Sequence, residues 1–123
     1  MRLPLTALLA TLALYGCATA KPPARDGCDA EVRFGSYAMG VDQPLRGHIL
    51  AFMEDNPHVA GFTETPWGRE GESTLCIQAR DAAATNRIYD DLVGLIPRLG
   101  ERAPTTVTHR DGRSHASSMP PGT

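Results

Sequence analysis

The sequence lacks a hydrophobic run long enough to cross a membrane. Its N-terminal apolar stretch, Leu3 to Leu14, is short, whereas a membrane-spanning helix needs about 20 apolar residues. Arg2 precedes this stretch and Lys21 follows soon after it, an arrangement typical of a signal peptide. The sequence therefore predicts an exported chain whose signal peptide covers residues 1–16.

Clusters of positive charge are also missing. The formal net charge is −2, and removal of residues 1–16, which carry one base and no acid, makes it −3. The basic residues are scattered singly along the chain, so they form no stripe that could follow a phosphate backbone. We therefore expect no nucleic-acid partner.

Cysteine is scarce, since the chain has three, and none lies in a C-x-x-C pair or a Cys/His cluster that would indicate zinc. If Cys17 is consumed by processing, Cys28 and Cys76 remain as an even pair, and a disulfide is the default expectation for an exported domain. Two unrelated buried thiols are the alternative. One detail opposes the bridge, because strict strand alternation places Cys28 on the helix side of a sheet and Cys76 on the open side.

Recognisable catalytic and metal-binding patterns are absent as well. Gly35 and Gly40 have the spacing of half a phosphate loop, but Val41-Asp42 stands where Lys and Ser/Thr should follow. Ser36 has no nucleophile elbow, and His48 is expected on the exposed side of a helix. The histidines do not share the spacing of metal ligands. We predict a non-enzymatic protein with no catalytic residues, no metal and no cofactor; a minor hydrolase and a small-ligand or metal carrier remain alternatives.

The sequence does contain a candidate targeting motif, Leu14-Tyr15-Gly16-Cys17. This stretch resembles a lipobox, the cleavage motif of bacterial lipoproteins, although Tyr15 departs from the usual residue. The resemblance implies that Cys17 is lipidated and anchors the chain in the cell envelope. We expect the outer membrane, facing the periplasm, although the motif itself does not distinguish the inner from the outer membrane. Ala18-Thr19-Ala20 is a competing A-x-A cleavage site, which would give a secreted or soluble periplasmic protein.

The composition then divides the exported chain into three parts. Residues 17–27 form a Pro- and charge-rich tether behind the lipidated cysteine, and residues 111–123 have no hydrophobic period and are predicted to be a disordered tail. Residues 28–110 remain as the folded domain. A domain of this length buries a modest share of its surface, so a disulfide would add much to its stability.

Within that domain the periodicity predicts an α+β fold. Apolar residues alternate with charged ones from Ala30 to Phe34, which predicts a strand, and helices are expected after the capping residues Asp42 and Asp81. Further strands are predicted at 59–65, around Leu75 to Ala79, and at 105–110. The order β-α-β-β-α-β matches the ferredoxin-like arrangement, a four-stranded antiparallel sheet with two helices on one face.

Two segments, Phe34-Gly35-Ser36-Tyr37 and Trp67-Gly68-Arg69-Glu70-Gly71-Glu72, resemble segments of small bacterial lipoproteins and hypothetical secreted proteins. That resemblance implies no activity. It is consistent with the address that the lipobox indicates.

The candidate interaction residues are Trp67, Arg69 and Glu70. Trp67 is the only tryptophan and lies in a Gly- and charge-rich turn, where tryptophan and arginine are favoured as anchors of protein interfaces. The alternative is that Trp67 folds back on the sheet edge as a satellite of the core. We expect an envelope protein partner bound through this hairpin or through the open face of the sheet.

Overall fold

The computed structural model describes residues 27–97 and 103–117 of the chain. The predicted signal peptide, Cys17 and the tether up to residue 26 lie outside the described residues, as do residues 98–102 and 118–123. None of the described helices is long and apolar enough to cross a membrane.

The described residues form an α+β fold with two helices and a five-stranded antiparallel sheet. In chain order the elements are β1 (Ala30–Phe34), α1 (Gln43–Glu54), β2 (Val59–Pro66), β3 (Ser73–Ala79), α2 (Ala82–Leu95), β4 (Thr105–His109) and β5 (Ser114–Ala116). The strands are arranged in the order β2-β3-β1-β4-β5, so β3 lies between β1 and β2.

The hydrophobic core lies between the helices and one face of the sheet. Ala30, Val32 and Phe34 of β1 are buried, whereas Glu31 and Arg33 between them are exposed. The same alternation runs through β3 and β4, so the apolar side chains of the three central strands share one face. The other face stays open and carries polar residues.

Both helices begin at the predicted caps. The side chain of Asp42 accepts a hydrogen bond from the Leu45 N–H, and that of Asp81 accepts one from the Ala84 N–H, which satisfies N–H groups that lack partners inside a helix. The apolar spacing of Ala84, Ile88, Leu92 and Leu95 predicts one buried stripe along α2, but Leu95 is 38% exposed. Tyr89, which lies outside that spacing, is buried.

The predicted four-stranded sheet is wrong in its count, because the chain makes a fifth strand after β4. The described residues 111–117, predicted to be disordered, form a turn and β5, which pairs antiparallel with β4. Ser117 is buried, and its hydroxyl accepts a hydrogen bond of 3.0 Å from the Thr105 N–H. Backbone pairing needs no hydrophobic period, so this short edge strand left no periodic signal in the sequence.

Candidate functional site

Trp67 lies on the open face of the sheet and not in the hydrophobic core. It follows β2 directly, and its ring Nε1–H donates a hydrogen bond of 3.0 Å to Oγ1 of Thr74 on β3. The guanidinium carbon of Arg33 is 4.5 Å from the ring centroid. Arg33 and Thr74 are direct partners across the β1–β3 pair, so the ring extends over one strand to reach the next. Trp67 is half-buried in this position.

The turn after Trp67 depends on glycine. Gly68 and Gly71 have φ angles of +75° and +89°, a region that side chains with a Cβ rarely adopt. At Gly68 a Cβ would clash with the carboxylate of Glu72, so the carboxylate occupies the space that a side chain would need. Its Oε1 accepts a hydrogen bond of 2.7 Å from the Glu70 N–H. The Glu72 carboxylate thus stabilises the turn by accepting a hydrogen bond from its backbone.

The loop that follows β1 is bonded to this hairpin. The Ser36 hydroxyl donates a hydrogen bond of 2.5 Å to Oε2 of Glu70, and the Gly40 N–H lies 3.3 Å from the same oxygen. Ser36 Oγ also accepts hydrogen bonds from the N–H groups of Ala38 and Gly40. We call residues 36–40 and 67–72 together the tip surface. From the sequence, the loop and the hairpin were considered as two separate candidate sites. In the structure they are hydrogen-bonded to each other and form one surface.

The loop contributes an exposed apolar side chain to the tip surface. Met39 is 90% exposed, and the preceding Ala38 has a φ of +87°. A positive φ at a residue other than glycine costs on the order of 1 to 3 kcal/mol, and such positions cluster at functional sites. The loop therefore holds Met39 in solvent at an energetic cost.

The predicted interaction residues have different roles in the structure. Glu70 joins the hairpin to the loop, so its carboxylate is occupied within the tip surface. Arg69 is exposed, and its guanidinium makes no hydrogen bond or ion pair within residues 27–97 and 103–117. Sequence reasoning missed Arg33 and Met39. Strand alternation did place Arg33 on the open face, but nothing local indicated that Trp67 would reach it.

Two shallow grooves flank Trp67. On the open face, a groove of about 290 Å³ is lined by Arg33, Ser36, Glu72 and Thr106 together with the indole. On the helix side, a groove of about 230 Å³ is lined by Arg46, Glu64 and Ser73. Both volumes are near or below the lower end of the usual range for small-molecule pockets, about 300 to 1,000 Å³.

The helix-side groove contains a half-buried ion pair. Arg46 on α1 donates two hydrogen bonds, of 2.8 and 2.6 Å, to the carboxylate of Glu64 on β2, and the Ser73 hydroxyl donates a third. The Arg46 hydrogen bonds lower the pKa of Glu64 below its ordinary value; burial opposes this shift and the Ser73 hydroxyl adds to it. This arrangement ties helix α1 to the edge strand and fixes one wall of the hairpin.

Cys28 and Cys76 form the predicted disulfide, with their Cα atoms 5.2 Å apart. Strict strand alternation predicted that Cys28 and Cys76 lie on opposite faces of the sheet. That prediction is wrong, because the chain leaves regular strand geometry just before β1. Asp29, which alternation would place on the open face, is buried and accepts a hydrogen bond of 2.8 Å from the Ala79 N–H. Cys28 turns to the open face instead and meets Cys76 there.

The residues weighed for catalysis or metal binding are dispersed. Ser36 donates to Glu70, and His48 is exposed on α1. His109 is buried; the Asp111 N–H lies 3.0 Å from its Nδ1, and its Nε2 lies 2.8 Å from Oδ1 of Asn86. Among the described residues, no group of three or more His, Cys, Asp or Glu side chains could hold a metal ion.

Comparisons of this chain with protein-family models, with curated proteins and with solved structures find no match.

Proposed function

We propose that this chain is an exported envelope lipoprotein, anchored to the outer membrane through Cys17, whose domain binds an envelope protein partner through the tip surface. The domain acts as a non-enzymatic interaction module in this proposal. The lipobox at residues 14–17 supports the anchor. The Cys28–Cys76 disulfide supports export, because disulfides form and persist in oxidising compartments such as the periplasm.

The observation that carries the binding proposal is the combination of Trp67 and Met39 on one braced surface. Trp67 is half-buried outside the core, and Met39 is 90% exposed on a loop bonded to the Trp67 hairpin. Contiguous exposed apolar patches rimmed by polar residues mark interaction sites on monomeric domains, and in this proposal Met39 and the exposed edge of Trp67 belong to one such patch. Tryptophan and arginine dominate the binding energy of many interfaces.

A protein partner fits this surface better than a small ligand does. The two grooves beside Trp67 are shallow and small, and a carrier would be expected to enclose most of its ligand. A hairpin and a loop that project from one end of a sheet are accessible to a partner of any size. For the domain itself we propose that β1 to β4 and the two helices form a ferredoxin-like unit extended by β5; the observed strand order supports this.

Site-specific photo-cross-linking in intact cells tests the proposal. A photoreactive amino acid replaces Met39 or Arg69, and the control replaces Asp90, an exposed residue of α2. We expect a discrete cross-linked product with an envelope protein from positions 39 and 69, and none from position 90. Equal cross-linking from all three positions, or none from the tip positions, would contradict the proposal.

A further inference from the structure

The cationic side chains around Trp67 differ from the other arginines in their partners. Five of the seven arginines within residues 27–97 and 103–117 are bonded to or ion-paired with an oxygen of the chain: Arg46, Arg80, Arg87, Arg110 and Arg113. The remaining two are Arg33, which stacks on Trp67, and Arg69, two residues further along the same turn. Both residues are exposed, and neither guanidinium is bonded to an oxygen atom of the described residues.

A second arginine–aromatic stack in the domain shows what Arg33 lacks. The guanidinium of Arg113 lies 5.0 Å from the centroid of the Tyr89 ring and is also paired with the carboxylate of Asp111 at 2.9 Å. Arg33 makes the corresponding contact with Trp67 at 4.5 Å, but no carboxylate among the described residues is paired with it. Stacking fixes the plane of a guanidinium while leaving its edge donors free for a carboxylate.

The carboxylates of the tip surface are engaged internally instead. Glu70 accepts from the Ser36 hydroxyl, and Glu72 accepts from the Glu70 N–H. The hairpin thus uses its acids to brace itself and leaves Arg33 and Arg69 available to a partner. Arg33 also lines the open-face groove beside Trp67, together with Thr106. A threonine side chain is a further hydrogen-bond donor for a carboxylate.

Because Arg33 and Arg69 have no carboxylate partner among the described residues, we infer that the tip surface and the adjoining Arg33 bind an acidic peptide segment of the partner. One carboxylate of this segment pairs with Arg33 over the indole of Trp67, and another lies near Arg69. This inference rests on the proposed function and specifies the chemistry of the partner. A carboxylate suits the groove better than a phosphate group does, because Glu72 lines the same groove and would repel a dianion more strongly.

Trp67 supplies its own probe, since it is the only tryptophan in the chain. The mature protein, purified in detergent, is titrated with a hexaglutamate peptide blocked at both ends while the tryptophan emission is recorded. We expect a saturable change in emission that weakens as sodium chloride rises. Arg33→Gln should weaken the apparent affinity at least tenfold and Arg69→Gln severalfold. Arg87→Gln, an exposed arginine of α2, is the matched control and should leave the affinity unchanged.

Several results would overturn the inference: no saturable response, the same response to blocked hexaglutamine, or unchanged affinity in Arg33→Gln with circular dichroism identical to the wild type. Displacement of the peptide by an equal concentration of inorganic phosphate would show a small-anion site instead. Arg33→Lys keeps the positive charge but lacks the planar set of guanidinium donors. Its affinity for the peptide should therefore lie between that of Arg33→Gln and that of the wild type. If tip cross-links form while hexaglutamate does not bind, the proposed function stands and this inference fails.

Discussion

The Ser36 hydroxyl donates a hydrogen bond of 2.5 Å to the Glu70 carboxylate, although 34 positions separate the two residues in the sequence. The same carboxylate oxygen lies 3.3 Å from the Gly40 N–H. One glutamate therefore holds the loop after β1 against the β2–β3 hairpin. Because the contact is exposed, we expect it to fix the position of the loop more than to stabilise the whole domain.

Glu70→Gln should loosen the loop without unfolding the domain. The amide oxygen accepts more weakly than a carboxylate, so the Gly40 N–H should exchange with solvent faster, while the free energy of unfolding falls by about 1 kcal/mol or less. Hydrogen exchange measured by NMR checks this. Ser114→Ala, on the exposed edge strand β5, is the control. Unchanged exchange at Gly40 in Glu70→Gln would show that the contact does not hold the loop.

The Cys28–Cys76 disulfide closes a loop across 48 positions of the sequence. In the chain-entropy account, its loss lowers the free energy of unfolding by about 3 to 4 kcal/mol. Urea unfolding of the protein with and without reductant measures this difference. Thiol titration of the denatured, unreduced protein should find neither cysteine free. Reaction of both with a thiol reagent would contradict the bridge.

The fold was predictable wherever a local pattern fixed it. Alternation from Ala30 to Phe34 set the buried face of β1, and Asp42 and Asp81 set the starts of both helices. The fifth strand was missed because its three residues are held by backbone pairing to β4 and show no apolar alternation. A local pattern also cannot show where Cys28 leaves the regular strand.

Glu64 should make the stability depend on acid pH. Its pKa is lowered in the folded state, chiefly by the Arg46 hydrogen bonds. A lowered folded pKa adds stability that is present above the unfolded-state value, about 4.3, and is lost as the pH falls through the folded value. Glu64→Gln should therefore cost about 1 to 2 kcal/mol at pH 7 and flatten the loss of stability below about pH 4.3.

Glu54→Gln, at the exposed end of α1, is the matched control for the Glu64 experiment. It should keep the pH profile of the wild type in urea unfolding measured between pH 7 and pH 3. A Glu64→Gln profile that parallels the wild type would show that the Arg46 pair does not contribute in this way.

The proposed lipid anchor is tested at Cys17, which lies outside the described residues. Metabolic labelling with a clickable fatty acid should label the wild type, because a lipobox cysteine receives lipid before the signal peptide is cut. Cys17→Ala should lose the label and leave an uncleaved precursor or a soluble species. An unlabelled wild type would place the cleavage after Ala20, at the A-x-A site.

The candidate site was predictable only in part, for a geometrical reason. The turn composition indicated Trp67, Arg69 and Glu70, since glycine and charge surround a large ring there. Arg33 lies on a strand that is remote from Trp67 in the sequence. It comes within reach of Trp67 because β3 pairs with both β1 and β2. The partners of an exposed side chain depend on this pairing of strands, which short-range patterns do not contain.

In our proposal the side chain of Trp67 contacts a binding partner and is not part of the hydrophobic core. Because the ring is half-buried and outside the core cluster, Trp67→Ala should lower the free energy of unfolding by about 1 to 2 kcal/mol, against about 2 to 5 kcal/mol for Leu92→Ala, which removes a fully buried side chain.

The decisive measurement combines urea unfolding of Trp67→Ala with photo-cross-linking from position 39 in the same variant. We expect the Trp67→Ala domain to remain folded and to lose the cross-link from position 39. A loss of about 3 kcal/mol or more, typical of truncating a core aromatic, would contradict it. A tip cross-link that persists undiminished in the folded variant would contradict it equally.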